Sequence, residues 1–116
     1  MILTIDTREQ APLQFPKVKG VEVRVETLAV GDYGAWHGEV RDSSIVERKS
    51  ISDLYHAFTA NYDAERAKML KAQMLGLTFI LAIEAPFLEV LKGHAYWKDG
   101  QSHEVRKTGL AMCRQL

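Results

Sequence analysis

Two rhythms alternate along this chain: short apolar runs that end in a charged residue, and stretches with helical spacing. Ile2 to Ile5 is apolar and β-branched and stops at Asp6, which predicts a short buried strand with an acid at its carboxyl end. Residues 10 to 20 carry Pro12, Pro16 and Gly20. Val21, Val23 and Val25 then alternate with Glu22, Arg24 and Glu26, the pattern of a strand with one wet face. That strand leads into Leu28-Ala29-Val30-Gly31-Asp32. Tyr33 to His37 predicts a further strand, Gly38 to Ser44 a turn, and Ser44-Ile45-Val46-Glu47 a strand that again ends in charge.

The second half starts with helices. Ser50 and Ser52 are candidate caps for a helix beginning near Asp53, with Leu54 and Phe58 four apart on its inner face. A second helix is predicted from Tyr62 to around Leu75. Ala67, Leu70 and Met74 form its expected buried stripe, Glu65, Arg66, Lys68 and Lys71 fall largely elsewhere, and Gly76 stops it. Thr78 to Ile83 is a nearly continuous apolar run, expected for a central strand covered on both faces. Beyond it the pattern predicts a short helix from Pro86 to Leu91, an exposed loop from Lys92 to Gln101 and a last helix from Ser102 onward. Strands interleaved with helices predict a three-layer α/β domain, a central mixed sheet flanked by helices.

Composition adds bounds. The 116 residues, 47% of them hydrophobic, suit one soluble domain spanning 1–116 with a single core. Lysine plus arginine equals aspartate plus glutamate at fifteen each, so bulk charge neither demands nor excludes a polyanionic partner. A neutral total can still hide a carboxylate cluster for a cation and basic groups for phosphates. Cys113 is the sole cysteine, which excludes an intrachain disulfide and a multi-cysteine zinc site, and suits a reducing intracellular setting. The start lacks a basic leader, and no apolar run approaches membrane-spanning length, so a soluble protein with no membrane partner is expected.

The chemistry points to the strand ends. Asp6, Glu9, Asp32 and Glu47 stand at or just beyond the predicted ends of three strands, where a sheet can gather residues distant in sequence. Hydrolysing a phosphodiester needs a metal to activate water and another positive centre to offset charge on the phosphate. Magnesium and manganese favour hard oxygen ligands such as these. Glu47 and Lys49 are two apart, so on an extended segment both side chains take the same face, and the lysine can address the nucleophile. Other chemistries lack their motifs. The four histidines lack the paired spacing of a zinc helix, and no nucleophile elbow or phosphate-binding loop is present.

Alone, Glu47-Arg48-Lys49 is the kind of triplet that usually forms a solvated charge run. Its neighbours change that. Gly31-Asp32, a fourteen-residue gap, Glu47-Arg48-Lys49, three residues and Asp53 resembles the signature of the XPF-type structure-selective nucleases, a family that includes the archaeal Hef nuclease. Ile5-Asp6-Thr7-Arg8-Glu9 resembles their first motif, and Val46 to Leu54 is similar to their central block over its length.

The resemblance implies a restriction-endonuclease-like fold that uses Mg2+ or Mn2+ to cut one strand near duplex/single-strand junctions of flapped, forked or branched DNA. It implies Asp32 and Glu47 as metal ligands with the Arg48 carbonyl, and Asp6 and Glu9 completing or supporting the acidic set. It further implies Lys49 as the catalytic cation and Asp53 as a supporting residue. The Arg48 guanidinium is left to hold either a phosphate or the acidic cluster, and Arg8 and Arg66 are candidates for the DNA backbone. Family members usually add helix-hairpin-helix modules, which do not fit within 116 residues, and continue into another strand and helix that often form a dimer face with an identical or different partner. A chain ending at Leu116 thus reads as a truncated segment. The alternative is a noncatalytic DNA-binding or scaffolding partner of an active nuclease, since the family also contains degenerate domains.

Overall fold

The computed structural model describes residues 1–92, 94–98 and 101–105, with side chains through residue 90. Six of the described strands form one sheet. β1 (Ile2–Asp6) lies between β2 (Glu22–Glu26) and β3 (Tyr33–His37), and the order continues through β5 (Ser44–Lys49) to β6 (Thr78–Ile83). The two-residue β4 (Val40–Arg41) pairs with β3 off this path. β2 runs parallel to β1 with Ile5 opposite Val25, whereas β3 runs antiparallel to β1 with Ile5 opposite Tyr33, so the sheet is mixed as expected. With α1 (Ile51–Thr59), α2 (Tyr62–Met74) and α3 (Phe87–Lys92), the architecture is α/β and consistent with a restriction-endonuclease-like domain. No helix among the described residues is long and apolar enough to cross a membrane.

The chain divides into two compact units. The first joins Met1–Arg48 to Lys68–Leu81, and the second joins Lys49–Ala67 to the chain from Ala82 on. In the first, Leu28, Val30, Ile45 and Ala72 form a buried cluster with Leu77 and Phe79 packed against it. β1 is an interior strand, and Thr4, Ile5 and Asp6 are all buried, which gives Asp6 a dry setting at the strand's end. β2 is an outer strand whose Val23 and Val25 remain exposed.

In the second unit, α1 opens on Ser50. Its extended backbone and side chain satisfy a helix-start donor: Ser50 Oγ accepts from the Asp53 N–H at 3.2 Å. Leu54, Tyr55, Ala57 and Phe58 are buried, and the Tyr55 hydroxyl donates to the Val90 carbonyl.

Four sequence expectations need correction. β6 lies at an edge of the described sheet rather than at its centre, and Ile80 is exposed. An apolar run reports what covers a strand's faces and says little about whether it has neighbours on both sides. Residues 94–98 are a strand rather than a loop, and 101–105 are a strand rather than the start of a helix. They form β7 (His94–Lys98) and β8 (Gln101–Val105), an antiparallel pair. Asp99-Gly100 between them is the residue pair that favours two-residue hairpins, and Tyr96 and Trp97 have high strand propensity. The remainder of the expected last helix lies outside the described residues.

The fourth correction concerns α2. Ala67, Leu70 and Met74, the expected inner stripe, are exposed, and the buried positions are Glu65 and Ala72. The helix ends as its glycine predicts. Gly76 takes a positive φ of 72°, its N–H bonds the Gln73 carbonyl at 3.0 Å, and Leu77 N–H bonds the Ala72 carbonyl at 2.9 Å.

Candidate active site

Asp32 is the best-positioned of the acids. Its backbone N–H bonds the Val46 carbonyl at 2.8 Å, and its own carbonyl accepts from Asp6 N–H at 2.8 Å, so it bridges β5 and the end of β1 just before β3 begins. Its carboxylate Oδ2 then accepts the Arg48 N–H at 2.8 Å. The preceding Gly31 permits this approach. Its φ is +80°, and a Cβ there would stand 2.6 Å from Ile45 Cγ1 and 3.2 Å from the Val46 carbonyl oxygen. Glycine at 31 is thus a backbone requirement.

Burial pushes the Asp32 carboxyl above its usual range. The Arg48 N–H opposes this, the charges of Glu47 and Glu9 push the same way as burial, and Lys68 opposes them. Asp32 therefore lies within electrostatic reach of both Glu47 and Glu9. Glu47 is buried at 5% exposure, and its Oε1 accepts from Lys68 Nζ at 2.8 Å, a charge-assisted bond from α2.

Asp6 has a different occupation. Its carboxylate accepts Arg8 Nε at 2.7 Å, Arg8 Nη2 at 3.1 Å, the Arg8 N–H at 3.1 Å and the buried Leu28 N–H at 2.8 Å. Arg8 also donates to the Leu28 carbonyl at 2.8 Å. The Arg8 guanidinium lowers the Asp6 pKa to about 2, with burial opposing and the Leu28 N–H assisting, and Arg8 is itself raised by the same bond. This knot ties the end of β1 to the segment entering Asp32. Glu9 accepts the Ala11 N–H at 3.2 Å. Among the described residues, no three His, Cys, Asp or Glu side chains gather closely enough to hold a metal ion by themselves.

Arg48 sends Nη1 to the Ala11 carbonyl at 2.7 Å, and the Tyr33 hydroxyl accepts the Leu13 N–H at 3.1 Å. Both pin the proline-bearing segment that follows β1. In the second unit, Lys49 Nζ lies 3.5 Å from Glu65 Oε2, and the Lys49 carbonyl accepts the Glu84 N–H at 2.8 Å. Asp53 is exposed in the first turn of α1, and Arg66 is exposed on α2.

Sequence reasoning missed Glu65 and Lys68, which it assigned to the outside of α2. The available signal was their spacing. Three apart on a helix, they share a face and carry the charges that complement Lys49 and Glu47, two apart on β5.

The ERCC4 domain model matches residues 5–108. The chain belongs to the ERCC4-domain family. This is the family of XPF-type nuclease domains, whose members are generally nucleases with a role in DNA repair and are typically divalent-metal-dependent. No curated protein and no solved structure matches the chain. Within the ERCC4 match lie Asp6, Asp32, Glu47, Lys49 and the two α2 residues that reach β5.

Proposed function

We propose that the chain is a metal-dependent endonuclease that hydrolyses DNA phosphodiesters near duplex/single-strand junctions of flapped, forked or branched DNA. One observation carries the reading: Asp32, just before β3, sends its carboxylate to the Arg48 N–H on β5 at 2.8 Å, between buried Glu47 and Lys49 of the same strand, and the Glu47 charge adds to burial in disfavouring ionisation of Asp32.

The donor set fits magnesium or manganese. These ions take hard oxygens, and magnesium is commonly held by one or two carboxylates plus water and substrate phosphates rather than by an all-protein cage. Asp32 and Glu47 would supply the carboxylates and Arg48 a backbone carbonyl. The bound ion supplies Lewis acidity that activates water and offsets charge on the phosphate.

The side chains divide the remaining work. The Arg48 N–H orients the Asp32 carboxylate, and Lys68 neutralises Glu47 and holds it in place. Lys49 brings a compact ammonium to orient the attacking water and stabilise charge on the phosphorane-like transition state. Asp6 serves as the structural lock of Arg8 and Leu28, with Glu9 supporting the field around Asp32. Arg8 is 66% exposed at its side chain and, with Arg66, offers positive charge to the DNA backbone.

The test is cleavage of a fluorescent splayed duplex by the purified chain with Mg2+ or Mn2+, beside linear duplex and single-strand controls. Incision near the junction is expected, abolished by chelation and by Asp32→Asn or Glu47→Gln with the fold retained. Equal cutting of all three substrates would refute junction selectivity. Metal and DNA binding without cleavage would favour a noncatalytic partner role.

A further inference from the structure

Glu65 is a costly residue for the place it occupies. It is 1% exposed on a helix that leaves Leu70 and Met74 in water, so α2 has reversed the polarity that packing alone would select. A carboxylate so buried is destabilising unless an opposite charge compensates it, and even a compensated pair is weak support for stability. What such a pair specifies well is the position of its members.

A compensating charge is Lys49. Its ammonium lies 3.5 Å from Glu65 Oε2, and the lysine side chain is itself only 14% exposed. A lysine has four rotatable side-chain bonds and ordinarily loses position through them. Here both ends are fixed. The Lys49 backbone is held in β5, with its carbonyl bonded by Glu84 N–H, and Glu65 is held in the first turn of α2, its N–H bonded to the Asn61 carbonyl at 3.2 Å. The separation exceeds the roughly 2.7–2.9 Å of a short charge-assisted hydrogen bond, so the contact restrains the ammonium as a tether of charge to charge.

We propose that Glu65 is a positioning residue that fixes the Lys49 ammonium for its catalytic work. The inference rests on the role proposed for Lys49. A purely structural Glu65 would serve packing or the helix start, and its loss would change stability without passing through Lys49.

The experiment uses the full chain with lysine side chains labelled with 15N. The Lys49 ammonium resonance is identified by its disappearance in Lys49→Met. It is expected to be restrained in the parent and to broaden or move toward the exposed lysines in Glu65→Gln, whereas Glu65→Asp, which keeps the charge, retains more of the restraint. In cleavage of the splayed duplex, Glu65→Gln is expected to lower kcat about tenfold to hundredfold with KM little changed. Combined with Lys49→Met it should cost nothing beyond Lys49→Met alone, because the two act as one unit. An unchanged Lys49 resonance in Glu65→Gln overturns the proposal, as do additive losses in the double variant. If the parent cleaves nothing while the resonance responds as described, the tether stands and the nuclease reading fails.

Discussion

Replacing Asp6 by asparagine separates two roles for a buried acid at the end of a strand. As a lock, its carboxylate accepts four hydrogen bonds, two from the Arg8 guanidinium, one from the Arg8 N–H and one from the Leu28 N–H. Asp6→Asn keeps an oxygen for one backbone donor and turns the other end into a donor facing a guanidinium. The charge-assisted bonds are lost and a buried group loses a partner, a cost of about 2 kcal/mol, or about 8 °C in thermal midpoint for a chain of this length. The pH dependence gives a second reading. The folded carboxyl titrates at about 2 against an ordinary 3.8, so folding favours its ionised form. Its contribution is complete above the ordinary value and is lost as pH falls through about 2. The shift corresponds to at most about 2.4 kcal/mol. Because Arg8 is 66% exposed, a value nearer 1 kcal/mol is expected. Urea unfolding of parent and variant from pH 7 to pH 3 measures this difference. The parent's advantage should shrink by about a third by pH 3. A midpoint within about 2 °C of the parent at pH 7, or parallel pH profiles, would refute the lock. If stability were unchanged but manganese binding abolished, Asp6 would be a metal ligand instead.

Other perturbations probe the surroundings of Asp32 and the helix behind β5. Gly31→Ala combines a positive φ with a Cβ 2.6 Å from Ile45 Cγ1, so a loss of about 3 kcal/mol is expected in chemical unfolding; a loss under about 1 kcal/mol would contradict the geometry. Lys68→Met removes the 2.8 Å partner of Glu47, so manganese should raise its melting temperature by more than it raises the parent's, and equal rises would show that Lys68 does not offset the carboxylate charge. Lys49→Met combined with Glu65→Leu replaces a buried ion pair by apolar groups; calorimetry should find it at least as stable as the parent, with a gain of about 1 kcal/mol, while cleavage is lost.

How far the sequence foretold this arrangement depended on whether local pattern and tertiary need agreed. They agreed at β3, whose limits are the expected Tyr33 and His37, and at β6, whose limits are the expected Thr78 and Ile83. They agreed again at Ser50, where the capping side chain and the start of α1 coincide. Gly31-Asp32 was legible as a motif, but its reason was not. The close approach of Ile45 and the bond from Arg48 N–H exist only after β3 and β5 have paired. Asp6 shows the converse. Its position at the strand end was readable, yet Leu28, its partner twenty-two residues away, is fixed by the path between β2 and β3.

The misreading of α2 follows from a premise built into periodicity itself. Seeking the apolar stripe finds the inner face of a helix whose task is to bury hydrocarbon. α2 has a second task. Glu47 and Lys49 project charge from β5, and charge removed from water needs opposite charge beside it. Lys68 and Glu65 meet that need, Glu65 buried and Lys68 half-exposed, while Leu70 and Met74 stay outside. The strand motif therefore contained the information that the apolar pattern lacked. An acid and a lysine two apart on a buried strand call for a lysine and an acid three apart on the helix that covers them. Here the chemistry at the strand, rather than the hydropathy of the helix, decides which side of α2 faces in.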